Sequence, residues 1–437
     1  MTKDGSMHDY DFAVAGGGPA GSSAAIALAQ RGHRVVLFER EKFPRFHIGE
    51  SLLPTANDYF AELGVTDEVE QACFPPKWGA LLSTHDGAGG RTVDFTMTDE
   101  VSRAQTFQVC REVLDRILLE RARAVGVDVR EEHRVTTCEF DSQAATLDVA
   151  GPEGATTRLR VQALVDASGR HGLLSRKFNL RIEEPRLANI AVYSHFSNVP
   201  LIPGDRPTDI RLISCNDAGW FWMIPISDKL MSVGVVVPKA LYLKWPRGSP
   251  EEMLERAIAE TPVAAEIMSA AKREWPVRVE KDFSYSASAY AGDRWVLVGD
   301  AGSFLDPVFS TGVSIALESG IEAARELDRA LRANRFSARQ LARFSRRQKR
   351  RFKLFRRFVV GFYTPQFRDL FFSPEPPKQI FRAVVAVLAG NWRPRLRTRF
   401  RIELFFASIA LQKRFDFSPR LAPRDPAAGF PGDRRAA

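Results

Sequence analysis

A glycine-rich βαβ pattern near the start of the chain constrains the fold more than any other stretch. An apolar run at 12–15 predicts a short buried strand, and an alanine-rich segment at 22–30, ended by Gly32, predicts a helix. A second apolar run at 35–38 predicts a neighbouring strand that places Glu39 at its tip. Strand, helix, strand and terminal acid together predict a Rossmann-like, dinucleotide-binding unit.

Three glycines between the first strand and the helix follow the G-x-G-x-x-G spacing. Gly16 permits the tight turn, Gly18 lets the backbone approach a pyrophosphate, and Gly21 lets the helix pack closely on the strand. The helix N-terminus favours phosphate, and Glu39 can accept hydrogen bonds from a ribose diol. The predicted cofactor contacts in this unit are Gly16, Gly18, Pro19, Ala20, Gly21, Glu39 and Arg40.

Length and cysteine usage bound the class of protein. With 437 residues, 45% of them hydrophobic, the chain is long enough for two closely associated domains. The first ten residues are polar, without signal-peptide character, and no window holds 18 uninterrupted apolar residues. The four cysteines have no metal-binding spacing, so we expect free thiols, no metal and a cytoplasmic location.

The order of the predicted elements gives an α/β (α+β) fold class. We expect a Rossmann-like cofactor-binding domain, an inserted antiparallel-sheet substrate domain and a helical C-terminal extension. The inserted sheet is predicted from alternating apolar residues between 186 and 238. The expected domains are 8–180 with 280–335 for the cofactor, 181–279 for the inserted sheet, 336–418 for a basic helical region and 419–437 for a disordered tail.

Two further segments join the glycine fingerprint. Arg111 precedes an amphipathic helix, and the strand 294–298 runs into Gly299-Asp300 before a long helix. Over roughly residues 8–335 the chain thereby resembles the FAD-dependent aromatic monooxygenases, which implies FAD as cofactor. The resemblance implies flavin contacts at Arg111, Asp300, Gly312 and Val313. A surface ion pair for Arg111 and a helix-cap carboxylate for Asp300 are the alternatives, and no second glycine-rich unit predicts a nicotinamide domain.

Two longer motifs narrow the family. Residues 304–312 have the F-x-x-P-x-x-S-x-G spacing, residues 220–225 have the W-x-W-x-I-P spacing, and Lys77 lies in the early segment 74–79. Together they resemble the flavin-dependent halogenases. That resemblance implies FADH2 from a separate flavin reductase, O2, and chloride or bromide, which react through a flavin C4a-hydroperoxide to hypohalous acid.

The same resemblance implies roles for individual residues. The turn Ser310-Thr311-Gly312 would bind halide, because a helix start offers backbone N–H groups and a positive dipole end. Lys77 would hold hypohalous acid by a hydrogen bond or as a haloamine, with a pKa lowered by desolvation, and a solvated loop lysine is the alternative. The expected barrier and substrate-side residues are Trp220, Trp222, Pro225, Phe304, Pro307 and Phe309.

The residue before the Ser-Thr-Gly turn bears on the substrate. Halogenases of free tryptophan carry Glu there, whereas this chain has Phe309, which cannot accept a proton. The segment resembles instead the subgroup that acts on phenols and pyrroles, often while the substrate is tethered to an acyl or peptidyl carrier protein. The sequence does not choose between phenol and pyrrole.

Positive charge is concentrated at the C-terminal end. Residues 341–437 hold 23 Lys+Arg against 6 Asp+Glu, a net of +17, which leaves −8 for the rest of a chain whose total is +9. Nine of these basic residues fall within 343–357, interleaved with aromatic residues. Peripheral membrane contact, docking of an acidic carrier protein, and helices packed on the body are the open interpretations. No recognition motif predicts nucleic acid.

Other flavoprotein classes share the same fingerprint. An aromatic hydroxylase would insert oxygen in place of halogen, and a prenyl-chain reductase would need no oxygen. A flavoprotein without catalysis would use the basic tail as an anchor to a partner or membrane. Halogenation of an electron-rich phenol or pyrrole is the leading interpretation.

Overall fold

The computed structural model describes residues 8–215, 219–243, 248–281, 284–373, 376–416 and 418. The tail expected to be disordered, 419–437, lies outside the described residues. Helices span Pro19–Ala29, Ala56–Leu63, Thr66–Gln71, Arg111–Ala124, Leu173–Lys177, Lys239–Tyr242, Pro250–Ala259, Pro262–Ile267, Gly312–Arg332, Ala338–Phe362, Pro365–Phe371, Lys378–Leu388 and Leu396–Phe415. Strands span Tyr10–Ala15, Val35–Phe38, Pro76–Lys77, Gly79–Ser83, Gly90–Asp94, Thr106–Phe107, Asp128–Arg130, Arg134–Phe140, Ala145–Ala150, Thr156–Asp166, Arg181–Glu183, Asn189–Ser197, Ile210–Ser214, Trp220–Pro225, Met231–Pro238, Lys272–Arg273, Arg278–Lys281, Tyr285–Ala287, Ala291–Gly292, Trp295–Leu297 and Ser303–Phe304.

Parallel strands form one layer, which we call the cofactor sheet. Its parallel strands follow the order Asp128–Arg130, Val35–Phe38, Tyr10–Ala15, Thr156–Asp166 and Trp295–Leu297. The register pairs Val14 with Leu37 on one side and Val165 on the other, so the first strand is central. Its carboxyl end opens directly into the glycine turn, where parallel sheets bind ligands. The predicted α/β fold with a Rossmann-like domain is confirmed.

A mostly antiparallel layer, which we call the second sheet, contains all four strands predicted between 186 and 238. Two strands from earlier in the chain extend it: Gly79–Ser83 pairs in parallel with Ile210–Ser214, and Gly90–Asp94 pairs with Gly79–Ser83. The expected boundary at residue 180 therefore does not follow the sheets. Strand pairing depends on distant partners, and a local pattern does not identify them.

The helices of the C-terminal region pack on the body of the protein. Phe358, in the helix Ala338–Phe362, is fully buried, and its ring lies 6.5 Å from that of Phe367 and 5.0 Å from that of Phe406. These rings belong to one apolar cluster with Trp220 of the second sheet. The packed interpretation of these helices therefore fits the described residues. None of the described helices is long and apolar enough to cross a membrane.

Much of the basic run at 343–357 is paired inside the protein. Arg347 lies 3.4 Å from Glu326, and Arg351 lies 2.9 Å from Glu318. Both acids belong to the long helix that precedes the C-terminal region. These cations hold two helices together, whereas other cations of the run, among them Lys349, Arg350 and Lys353, stay exposed.

Replacing Phe358 by Ala should lower the free energy of unfolding by about 3–5 kcal/mol, because the lost ring leaves a cavity in the core. Phe400, which is 64% exposed on another C-terminal helix, is the matched control. Phe400→Ala should change the free energy of unfolding by less than about 0.5 kcal/mol. Urea denaturation followed by circular dichroism measures both. Equal effects of the two substitutions would mean that the C-terminal helices are not part of the core.

Candidate active site

A cavity of about 670 Å³ opens between the carboxyl edge of the cofactor sheet and the second sheet. All the predicted cofactor residues except Gly21 line it, and so does the predicted halide turn, 310–312. Its size is within the range of small-molecule and cofactor sites. One space is therefore shared by segments from both ends of the sequence.

The glycine turn has the shape that a pyrophosphate needs. Gly16 has a φ of +113°, and a Cβ atom on Gly21 would lie 1.8 Å from the Gly16 carbonyl oxygen. A Cβ on Gly18 would meet only the end of Arg45, at 3.4 Å. The outer glycines are thus required by backbone conformation and packing, whereas the middle one leaves room on the cavity side.

Glu39 lies beside this turn, and its carboxylate accepts the N–H of Gly17 at 2.7 Å. Arg45 lies 3.9 Å from Glu39 and 3.4 Å from Asp115. The sequence reasoning missed Arg45, whose only signal was the high density of polar groups in the segment 43–54. Its guanidinium adds positive charge where the cofactor phosphates are expected.

Arg111 and Asp300 both line the cavity, but they are held in different ways. Arg111 forms a two-point ion pair with Asp115, at 2.8 and 2.9 Å, and donates to the carbonyl of Ile48 at 2.5 Å. It is buried, so the surface alternative is wrong. Burial raises the pKa of Asp300 to about 6 although the charge of Arg111 lowers it. Asp300 can therefore donate or accept a proton near neutral pH. Either role would suit a hydrogen bond to the polyhydroxylated chain of a flavin.

The predicted halide turn precedes the helix Gly312–Arg332. Ser310 has a left-handed φ of +55°, which turns the chain sharply into the helix start. The N–H groups of the first helical turn have no acceptor within the helix, and the macrodipole is positive at this end. The turn can therefore receive an anion.

Lys77 is 1% exposed, so the solvated alternative is wrong. Its ammonium donates to the Ser51 hydroxyl and to the Leu52 carbonyl, each at 2.8 Å. Desolvation lowers the pKa of Lys77 to about 7, while the charge of Asp209 raises it. Ser51 lines the cavity and Lys77 does not, so the Ser51 hydroxyl separates the ammonium from the cavity.

The two tryptophans of the W-x-W motif line the cavity, and both indole N–H groups are already used. Trp220 donates to the hydroxyl of Tyr363 at 2.8 Å, and Trp222 donates to Ser232 at 3.1 Å. Neither indole N–H is therefore left to donate to a molecule in the cavity. This arrangement suits the wall expected from the sequence.

Two expected substrate-side residues are placed elsewhere. Phe309 and Pro225 are absent from the cavity lining among the described residues, whereas Phe304 and Pro307 belong to it. Phe309 packs edge-on against Phe362 of the C-terminal region, with ring centroids 5.6 Å apart. Its expected position on the substrate side is corrected here, because the C-terminal helices provide an apolar site for the ring.

Sequence reasoning missed two buried polar pairs at this site. Tyr363 donates to Asp306 at 2.7 Å, and so joins the C-terminal region to the segment before the halide turn. Glu50, which lines the cavity, lies 2.8 Å from the ring nitrogen Nε2 of His195. Neither pair has a local signal, because the partners are far apart in sequence.

A family profile described as FAD binding domain matches residues 9–356. The chain is 33% identical over 380 residues to a 1H-pyrrole-2-carbonyl-(peptidyl-carrier protein) chlorinase of Pseudomonas fluorescens, across 82% of this chain and 84% of that protein. Its fold is similar to the structure of the myxobacterial chondrochloren halogenase CndH, at 33% identity and a TM-score of 0.76, covering 93% and 91% of the two chains. A flavoprotein/dehydrogenase structure from Cytophaga hutchinsonii gives a TM-score of 0.81 at 29% identity, covering 87% and 92%.

Replacing Lys77 by Met should change the pH dependence of stability. The folded pKa of about 7 lies below the unfolded value of 10.5, so between these values the unfolded chain binds more protons and stability rises with pH. Below pH 7 both states are protonated, and the cost of the buried charge is fully present. The difference in unfolding free energy, wild type minus variant, should rise by up to about 1.4 kcal/mol per pH unit. Urea denaturation at pH 7, 8 and 9 tests this, and a difference independent of pH would contradict it.

Proposed function

The chain belongs to the flavin-dependent halogenases of the FAD-binding-domain family, and on that premise we propose that it halogenates an electron-rich pyrrole or phenol presented on a carrier protein. It is an enzyme that uses FAD. The observation that carries the proposal is the shared cavity, where the halide turn and the hydroxyl in front of Lys77 meet the cofactor residues.

The residues present fit FAD. Gly18 leaves space for the pyrophosphate, Glu39 is placed for the ribose, and Arg111 and Asp300 lie along the flavin end of the cavity. Reduced FAD would come from a separate flavin reductase. Together with O2 it would supply the oxidising power for the two-electron oxidation of halide. The protein holds halide at the turn 310–312 and excludes water between the two sheets.

Lys77 acts on the hypohalous acid that results. Its ammonium donates to Ser51, whose hydroxyl can pass that hydrogen bond to a molecule in the cavity. A pKa of about 7 makes the ammonium a far stronger acid than an ordinary lysine. Through the Ser51 hydroxyl, Lys77 thus supplies a hydrogen bond to the oxygen of hypohalous acid and polarises the bond between that oxygen and the halogen.

A pyrrole or phenol suits this site better than an unactivated ring. Phe309 leaves no acceptor at the position where tryptophan halogenases carry Glu, so the substrate ring must itself stabilise the cationic intermediate. Pyrrole nitrogen and phenol oxygen both do so. Delivery on a carrier protein is supported by the relative from Pseudomonas fluorescens, whose name specifies a peptidyl-carrier-bound pyrrole.

The purified protein with a flavin reductase, NADH, O2 and bromide should convert pyrrole-2-carbonyl pantetheine or simple phenols to products with the bromine isotope pattern. Chloride should be tested in parallel. Products that contain added oxygen but never halogen would favour the aromatic hydroxylase. Turnover without oxygen would favour the prenyl-chain reductase.

In the same assay Lys77→Met should lower halogenated product by at least about 10²-fold, because proton donation to the departing oxygen is lost. FAD binding, measured by quenching of flavin fluorescence, should not change. Lys272, an exposed lysine of the second sheet, provides the control substitution Lys272→Met. Wild-type halogenation by Lys77→Met would remove Lys77 from the mechanism.

Peripheral membrane contact is a second part of the proposal, and it is placed on the last helix, Leu396–Phe415. Its inward side is buried at Ile402 and Phe405. An outward stripe stays exposed at Leu396, Phe400, Leu404, Leu411 and Phe415. The helix carries five basic residues and one acid. An apolar stripe on a basic helix suits the surface of an anionic bilayer.

Sedimentation with phosphatidylglycerol vesicles tests this contact. The double substitution Phe400→Ser and Leu404→Ser should weaken binding at least about tenfold, since two exposed apolar side chains are lost. Leu201→Ser with Leu243→Ser is the matched control, because both leucines are exposed outside this helix. Absence of wild-type sedimentation would contradict membrane contact.

A further inference from the structure

Glu50 is placed between the halide turn and Lys77. The preceding Gly49 faces the first turn of the helix at 312, where a Cβ on Gly49 would lie 3.7 Å from Val313. The following Ser51 accepts the hydrogen bond from Lys77. Glu50 itself lines the cavity and is 4% exposed. The backbone of Glu50 therefore lies between the predicted halide turn and Lys77, and its side chain belongs to the cavity wall.

Two other carboxylates of the cavity already accept several hydrogen bonds from the protein. At the nucleotide end, Glu39 accepts two backbone N–H groups. Asp306 accepts from Asn189, from Tyr363 and from the N–H of Val308. In each of these two carboxylates both oxygens already accept hydrogen bonds from the protein, so neither has an oxygen left for a substrate.

Two more carboxylates lie near arginines. Glu280 is ion-paired with Arg170. Asp300 is influenced by the charge of Arg111 and lies at the flavin end. Glu50 also interacts with the charge of Arg111, but within the described residues its side chain has one hydrogen-bond partner, His195, through Oε1. Its second oxygen is left for the substrate.

His195 is built into the second sheet and holds Glu50 in place. Its ring is buried between Trp275, with centroids 4.7 Å apart, and Phe46, at 5.8 Å. Its Nδ1 is enclosed and has no hydrogen-bond partner among the described residues. Because an ionised carboxylate only accepts hydrogen bonds, the ring nitrogen Nε2 is the donor in the bond to Glu50.

We propose that Glu50, positioned by His195, is the base that removes the proton from the halogenated ring carbon. The inference rests on the proposed halogenation. It assigns the acceptor that the sequence lacks at Phe309, and it places that acceptor on the loop 43–54, which lines the cavity beside the predicted halide turn.

The step balances as an aromatic substitution. The halogen–oxygen bond of hypohalous acid breaks while the ring carbon bonds to the halogen. The departing oxygen takes a proton supplied from Lys77 through Ser51 and leaves as water. The ring C–H bond then breaks, its electron pair restores the aromatic system, and the proton passes to Glu50. Lys77 loses one proton and Glu50 gains one, so solvent exchange resets both groups.

The test compares Glu50→Gln with wild type on pyrrole-2-carbonyl pantetheine, with hydrogen or deuterium on the ring carbons. Turnover is measured separately for each isotopic form. Wild type should show no isotope effect, because loss of the proton is fast. Glu50→Gln should lower kcat by about 10²-fold and show a normal primary isotope effect, since loss of the proton becomes slow. FAD affinity, read by fluorescence quenching, should stay unchanged.

Further variants separate chemistry from structure. If Glu50→Gln does not bind FAD, Glu50→Asp replaces it and should show the same isotope effect with a smaller loss of rate. His195→Gln, which keeps a donor, should retain more activity than His195→Leu. Asp328→Asn is the matched control, because Asp328 forms a similar pair with His33 at 2.9 Å outside the cavity lining.

Two results would overturn the assignment. Wild-type turnover by Glu50→Gln would exclude Glu50 as the base. If Glu50→Gln is slow but shows no isotope effect, the Glu50–His195 pair only holds the loop 43–54 in place and does not take part in proton removal. Failure of the proposed function would look different, because the wild-type protein would then form no halogenated product. In that case the assignment of Glu50 would also be wrong.

Discussion

The close packing of the long helix Gly312–Arg332 against the first helix, Pro19–Ala29, is the contact on which the site depends. At their crossing a Cβ on Gly320 would lie 2.1 Å from the Ser23 hydroxyl and 2.4 Å from the Ala20 carbonyl. Such a short distance between backbones requires glycine at that position. It brings together the N-terminal ends of two helices, one at the predicted pyrophosphate turn and the other at the predicted halide turn.

The same long helix carries charge that organises the C-terminal region. Its inner acids, Glu318 and Glu322, are buried or nearly so, and burying a carboxylate without a partner is costly. Arg351 and Arg393 supply the opposite charge from two later parts of the chain. These ion pairs fix the C-terminal region on the body of the protein, where Tyr363 supports the cavity-lining residues Trp220 and Asp306 from behind.

The active site is built from buried groups with incomplete solvation. Lys77 is held by one hydroxyl and one carbonyl, and Glu50 by one imidazole. Desolvation makes Lys77 a stronger acid than lysine in water. Ser51 contacts Lys77 and follows Glu50 in the sequence, so one short loop connects the proposed proton donor and the proposed proton acceptor to the same cavity.

The sequence by itself determined the cofactor half of this protein. The glycine spacing, the apolar strands and Glu39 are close in sequence, and each follows from local backbone conformation or periodicity, so the fold class and FAD were predictable. The roles expected for Lys77 and the turn 310–312 came from motif resemblance. Only the tertiary structure decided that Phe309 faces the C-terminal helices and that His195 meets Glu50, because long-range packing brings these partners together. Burial is likewise a property of the folded chain, and it alone made Lys77 an enclosed ammonium of lowered pKa.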